Sequence, residues 1–199
     1  MFRLVCILIG YGLGCVQTAY FVSRAMNKDI RKYGSGNLGT TNAMRVLGKK
    51  AGVITFLCDL LKDMAAFYIC FYVFHKSAVA GIYASFGVML GHDFPFYLKF
   101  KGGKGIASSL GMNACIFAFI SPAAAAISTA IGATALKLQG YVSMGSLSLI
   151  ISIPVMCYIF SADPEIILVT GVMSLIALIK HRGNVERILN GTESKLNKK

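Results

Sequence analysis

Charge is scarce in this chain, and negative charge scarcer still. Of its 199 residues 14% are charged, eight acidic against twenty basic, while 56% are hydrophobic. Mean hydropathy is +0.66. Ordinary soluble domains carry about 25% charged residues, so this balance excludes one and favours membrane insertion. Cys-x-x-Cys spacing is also absent. Cys6, Cys15, Cys58, Cys70, Cys115 and Cys157 all lie inside apolar runs. They are expected to behave as small hydrophobes, without disulfide or metal roles, and no metal or cofactor is expected. No small-x-small cleavage pattern follows the first apolar run, which outlasts the core of about 7 to 15 residues typical of a signal peptide. That run is expected to remain as a span.

Spanning a bilayer takes about 20 apolar residues, with about 17 to 25 tolerated. Candidate runs lie at roughly 2–22, 53–74, 78–98, 106–121, 122–138, 143–161 and 164–180. The fourth and fifth are short and parted at Ser121-Pro122, which predicts a tight helical hairpin. An all-α membrane protein with seven transmembrane helices follows, as one domain over 1–199. Charge then sets its orientation. Arg24, Lys28, Arg31, Lys32, Arg45, Lys49, Lys50, Lys99, Lys101, Lys104, Lys137, Lys180, Arg182, Arg187, Lys195, Lys198 and Lys199 fall on one side if the spans alternate. Arg3 and Lys76 fall on the other, Lys62 lies inside a span, and the connection near 161–165 carries Asp163 and Glu165. Positive charge stays inside, so the N-terminus is expected outside and the C-terminus in the cytoplasm.

Three glycine-bearing, cationic stretches then form three cytoplasmic loops. The first reads Gly34-Ser35-Gly36-Asn37-Leu38-Gly39-Thr40-Thr41-Asn42, with Arg45 beyond it. Glycine lets backbone amides approach a ligand, and a cation beside exposed amides suits an anion. The run from Asn42 to Gly48 predicts a short helix, capped by Asn42 or Thr41 and ended by Gly48. Arg45 would stand in its first turn, where a cation opposes the helix dipole unless an anion binds nearby. The same residues also fit a solvated loop. The second stretch, Lys101-Gly102-Gly103-Lys104-Gly105, directly precedes the span beginning at Ile106 and repeats the arrangement. It is not a Walker A loop, because Gly105 and Leu98 occupy the positions that need Ser or Thr and Gly.

Upstream, Leu90-Gly91-His92-Asp93-Phe94-Pro95 closes the third span with two titratable groups. In the second span, Asp59, Lys62 and Asp63 share one helical face. Charges at that depth are costly, so they form a self-neutralised cluster or support a cationic loop or substrate. The third stretch, Lys180-His181-Arg182-Gly183-Asn184, opens what is expected to be a short interfacial helix ending at Gly191, with Val185, Ile188 and Leu189 toward the membrane. His181 and Asn184 could complete a polar site there. Small residues (Ala123 to Ala126, Ala130, Gly132, Ala133, Ala135, Gly145) permit close helix packing or leave a groove for an acyl chain.

Taken in order, Gly-Ser-Gly-Asn-x-Gly-x-Thr-Asn…Arg, Gly-His-x-x-Pro…Lys-Gly-Gly-Lys-Gly and His-x-x-Asn…Arg-x-x-x-Gly-x-Glu resemble the PlsY family of bacterial acyl-phosphate:glycerol-3-phosphate acyltransferases. The resemblance covers essentially the whole chain. It implies transfer of a fatty acyl group from acyl phosphate to the primary hydroxyl of glycerol 3-phosphate, giving lysophosphatidic acid and inorganic phosphate. By position, Ser35, Arg45, Lys104, His181 and Asn184 match the family's catalytic residues. Gly34, Gly36, Asn37, Thr41, Asn42, Gly102, Gly103 and Ser143 match substrate-binding positions, while Asp59, Lys62, His92 and Glu193 are candidates for support. The chain departs from the family pattern at Gly14-Cys15-Val16-Gln17, at Lys180 and at Gly140.

The His-x-x-x-x-Asp pair typical of acyl-CoA and acyl-carrier-protein acyltransferases is missing. The fifth residues after His75, His92 and His181 are Ala80, Tyr97 and Glu186. The resemblance further implies the bacterial cell (inner) membrane with a cytoplasm-facing site, and docking of PlsX, the soluble enzyme that makes acyl phosphate. A membrane transporter or channel for phosphate esters is the rival reading. It would explain the charged second span, but no inverted repeat accompanies it.

Overall fold

The structure, a computed structural model, describes residues 1–196; Lys198 and Lys199, counted above among the cytoplasmic cations, lie outside the described residues. Among those residues all regular structure is helical. The α-helices are α1 (Phe2–Gly14), α2 (Thr18–Ala25), α3 (Thr40–Leu47), α4 (Lys49–Val73), α5 (Ala78–Asp93), α6 (Ile106–Phe119), α7 (Pro122–Gln139), α8 (Val142–Ile159) and α9 (Pro164–Leu189). Two 3-10 turns, Ile30–Lys32 and Phe96–Leu98, lie in the connections. Among the described residues, three apolar helical stretches are long enough to cross a membrane: Phe2–Ala25, Val142–Ile159 and Pro164–Leu189.

Local chemistry marks most boundaries. The Ser77 hydroxyl accepts the Ala80 amide at the start of α5. Ser121 does the same for α7 with Pro122 in the first turn. Asp163 and Pro164 open α9. Gly140 ends α7 at φ +75°, a left-handed conformation that glycine adopts without penalty.

The helices group into two compact units, residues 1–112 and the remainder from Asn113. In the first, α1 packs on α5 with almost no side-chain spacer. A Cβ at Gly10 would overlap the Ala84 carbonyl, and one at Gly91 would overlap the Tyr11 carbonyl. Buried Cys6, Ala66, Cys70, Ala80, Ala84 and Val88 complete this core. In the second unit, α7 and α8 meet at Gly132 and Gly145. A Cβ on either would come within 3.0 Å of the other's carbonyl oxygen. At these two positions the small residues serve close packing. Between α8 and α9, the Ser174 hydroxyl donates to the Ile150 carbonyl at 2.6 Å.

Several elements differ from expectation. The first apolar run is broken at Cys15-Val16-Gln17 into α1 and α2. The third ends as a helix at Asp93, five residues early, because Pro95 cannot continue it. The last span and the helix expected after Lys180 are one helix of 26 residues, α9, through Leu189. The third motif therefore lies on a helix and not in a loop, since Gly183 alone does not outweigh helix-forming neighbours. The tail then turns back, and Leu196 N–H donates to the Gly140 carbonyl.

Candidate active site

The first motif loop is organised by Asn42. Its side-chain oxygen accepts the Ser35 amide at 3.0 Å, and its Nδ2 donates to the carbonyls of Asn37 at 3.0 Å and Tyr33 at 3.2 Å. Asn42 is buried and lies inside α3, whose N-cap, Gly39, offers no side chain. Neither Asn42 nor Thr41 caps the helix as expected. The loop reaches the Asn42 oxygen before the helix's own amides do. Gly34 and Gly36 take φ of +60° and +68°, and a Cβ at Gly34 would overlap the Asn42 oxygen. Both glycines are thus required by the loop itself. Ser35, Thr41 and Arg45 are exposed, and Asn37 is half-buried. Arg45 stands in the last turn of α3, not the first. A cation is favourable there, so its position needs no anion to justify it. Upstream, Arg31 donates to both Asp29 oxygens at 2.8 Å and holds that carboxyl down at about 2.

The second motif rests on the end of α5. The Gly103 amide donates to the His92 carbonyl at 2.9 Å, and the Gly102 amide to the Asp93 carbonyl at 3.1 Å. Glycine is required at both places. A Cβ at Gly102 would overlap the His92 carbonyl oxygen, and one at Gly103 would overlap His92 Nε2. Close approach to α5 is therefore a packing reason for glycine at both positions. Lys104 and Gly105 follow directly, at the N-terminus of α6.

Beneath this loop sits the break in the first span. A helix ending among apolar side chains leaves carbonyls that must find donors. Here side chains supply them. Lys62 Nζ donates to the carbonyls of Val16 at 2.8 Å and Gly14 at 3.3 Å. The Tyr97 hydroxyl reaches the Cys15 carbonyl at 2.8 Å, and buried Gln17 donates to the His92 carbonyl at 2.8 Å. Lys62 also meets Asp59 Oδ1 at 2.8 Å and His92 Nδ1 at 3.0 Å. Asp63 accepts the Ser85 hydroxyl at 2.7 Å. The structure therefore joins Asp59, Lys62 and His92 in one cluster and sends Asp63 to a different partner. Gln17, Tyr97 and Ser85 are partners in this polar region that the sequence pattern did not single out. Only Gln17, a lone amide in an apolar run, offered a signal.

The second unit gathers the third motif around Glu193. One carboxylate oxygen accepts the Asn184 amide at 2.6 Å and the Ser143 hydroxyl at 3.0 Å. The other accepts Arg187 Nε at 2.7 Å. Burial alone would push the Glu193 carboxyl up. The hydrogen bonds from Asn184, Arg187 and Ser143 outweigh it and hold it below the usual carboxylate range. His181, one turn before Asn184 and also buried, donates from Nδ1 to the Ala177 carbonyl at 2.9 Å. Tyr141 lies under the Lys195 ammonium, 5.5 Å from its ring centre.

Comparison with known proteins is consistent across the chain. The family model described as glycerol-3-phosphate acyltransferase matches residues 4–191. The glycerol-3-phosphate acyltransferase of Thermoanaerobacter sp. (strain X514) is 40% identical, with 100% of this chain and 98% of that protein covered. That of Desulfotalea psychrophila is also 40% identical, over 96% of this chain and 97% of the relative. Among solved structures, PlsY (YgiH), an integral membrane glycerol 3-phosphate acyltransferase, superposes in its glycerol 3-phosphate form with a TM-score of 0.88 at 30% identity. The match covers 98% of this chain and 96% of that one. Its lysophosphatidic acid form gives 0.84 at 30% identity, over 97% and 94%.

Proposed function

The chain belongs to the glycerol-3-phosphate acyltransferase family, and on that premise we propose that it takes its acyl group from acyl phosphate. The observation that carries this reading is the family match over residues 4–191, which contains the first two polar motifs and the third as far as Gly191. In the proposed reaction the primary hydroxyl oxygen of glycerol 3-phosphate attacks the acyl carbonyl carbon. The new ester bond forms, the bond from that carbon to the phosphate oxygen breaks, and inorganic phosphate leaves with the electron pair. The hydroxyl proton passes to a phosphate oxygen of a substrate.

Acyl phosphate is already an activated anhydride, so positioning and charge stabilisation suffice without a dedicated protein base. Two acids outside the apolar runs support this: Asp29 is held by Arg31, and Glu193 by three donors. Lys104 and the amides entering α6 bind the glycerol phosphate, positioned by Gly102 and Gly103. The Ser35 hydroxyl and Arg45 bind the acyl phosphate. His181, Asn184 and Ser143 serve as further substrate-facing groups, with His181 orienting and not abstracting a proton.

The same proposal makes the chain a seven-span protein of the bacterial cell membrane, N-terminus outside, with its motifs on the cytoplasmic face. The break at Cys15–Gln17 fits within it, because that break is hydrogen-bonded internally. The reaction would be the first acylation of phospholipid synthesis, with PlsX docking nearby to supply the donor. The test gives purified protein glycerol 3-phosphate with acyl phosphate, acyl-CoA or acyl carrier protein in turn. Lysophosphatidic acid and phosphate should form with acyl phosphate alone, and formation from acyl-CoA instead would overturn the donor assignment.

A further inference from the structure

We propose that His92 is a positioning residue for the second motif, held in one ring orientation and one tautomer by a charge pair buried in α4. The observations are geometric. Lys62, as an ammonium, has three protons, and its three hydrogen-bond partners are Val16 O at 2.8 Å, His92 Nδ1 at 3.0 Å and Gly14 O at 3.3 Å, with Asp59 Oδ1 beside it at 2.8 Å as its ion-pair partner. An ammonium has no acceptor to offer, so His92 Nδ1 must present its lone pair. The alternative, Nδ1–H donating to Asp59, is too long at 3.7 Å. The ring proton therefore resides on Nε2, and Nε2 is the atom occupying the space where a Cβ of Gly103 would go.

The backbone of the same residue closes the arrangement. The His92 carbonyl accepts the Gly103 amide at 2.9 Å and the Gln17 side chain at 2.8 Å. One residue thus bonds the glycine loop through its backbone and fills the space beside Gly103 with its ring, and the ring is itself held by Lys62. Lys62 also closes the carbonyls at the break in the first span. The break, the buried ion pair and the loop leading to Lys104 are consequently one hydrogen-bonded assembly. A charge pair is costly at such depth and is not required for packing. Fixing a donor N–H beneath a loop that must hold a phosphate gives it a purpose. This assignment of purpose rests on the proposed glycerol 3-phosphate reading, whereas the tautomer does not.

The experiment has two arms. In the first, protein labelled with ¹⁵N-histidine is reconstituted in nanodiscs and its ring nitrogens are observed, with His92 assigned by comparison with His92→Asn. A neutral ring protonated at Nε2 is expected, giving way to a tautomer mixture in the charge-neutral pair Asp59→Asn with Lys62→Met. A proton on Nδ1 in the wild type, or no change in the double variant, overturns the proposal whether or not the protein acylates anything. The second arm compares KM for glycerol 3-phosphate with kcat. His92→Gln keeps a donor near the Nε2 position, whereas His92→Asn keeps only the acceptor toward Lys62. The Asn variant should raise KM about 10-fold, as expected for one lost hydrogen bond, with kcat nearly unchanged and Gln largely restoring KM. Equal losses in both variants, or a loss confined to kcat, would overturn the positioning role. Absence of any acylation by the wild type, with the expected tautomer present, would refute the proposed function and the role in phosphate binding together, leaving the tautomer standing.

Discussion

Glu193 is a half-buried carboxylate with three donors, and removing it should unfold the second unit at markedly lower temperature. In Glu193→Ala, the Asn184 amide and the Ser143 hydroxyl lose their shared acceptor. Hydrogen bonds to a charged group contribute about 1.5 to 3 kcal/mol each. The Arg187 side chain is 44% exposed, so its pair with Glu193 contributes little beyond about 0 to 1 kcal/mol. Solvent reaches the tail, so water can replace part of what is lost. The low end of the sum, about 3 kcal/mol, is the expected cost. For a chain of this size that corresponds to a fall in Tm of about 6 to 12 °C.

A thiol-reactive fluorescent dye suits the measurement. The chain has no tryptophan, and five of its six cysteines are buried, among them Cys115 and Cys157 in the second unit. The pH dependence has a definite sign. Because the folded carboxyl titrates below its ordinary value, its contribution is complete above the usual carboxylate range and fades as pH falls through the folded value. The gap between wild type and Glu193→Gln should therefore be widest near neutrality and close in acid. An Ala variant within 2 °C of wild type (about 1 kcal/mol or less), or a gap that widens in acid, would refute the reasoning.

Further outcomes follow from the same geometry. In a Cys58→Ala background, a cysteine at Ser35 should be labelled from the cytoplasm and one at Lys76 from outside; labelling from the same side sinks the seven-span proposal. Gly103→Ala should raise KM for glycerol 3-phosphate and lower Tm together, since its Cβ meets the His92 ring, and overpacking of this kind costs about 1 to 3 kcal/mol. A raised KM at unchanged Tm would instead mean obstruction of the ligand. Arg45→Ala, exposed and free of packing duties, should lower kcat about 10-fold to 150-fold with unaltered Tm if its charge-assisted contact with acyl phosphate is real; unchanged kinetics would remove it from the site. His181→Gln should keep measurable activity and a similar pH–rate profile. An acidic limb that vanishes on this substitution would make His181 the base.

Much of this architecture can be read from the chain alone, because the relevant physics is local. Apolar runs of membrane length, Ser121-Pro122 and Asp163-Pro164 at helix starts, and Gly140 at a helix end each act through neighbours a few residues away. The three motifs likewise fall close in sequence to the polar clusters they form. What tertiary structure decided is where distant partners were needed. Little in the run from Val5 to Gln17 announces a break at Cys15–Gln17, since only Gln17 stands out there as a strongly polar side chain. The break exists because Lys62, His92 and Tyr97 stand ready to bond it, from residues separated by 46, 75 and 82 positions. Gly102 and Gly103 could be recognised as special, but not why. Their amides and missing side chains answer to the end of α5, and only the folded chain brings that surface against them. Arg45 and Asn42 moved within their helix for a related reason: the start of α3 is set by a loop that wraps the Asn42 amide, not by the helix's own capping preference. Local pattern specifies which segments become helices, whereas the partners of buried polar groups are specified only when the chain closes on itself. An unpaired donor or acceptor away from water costs too much to be left to chance.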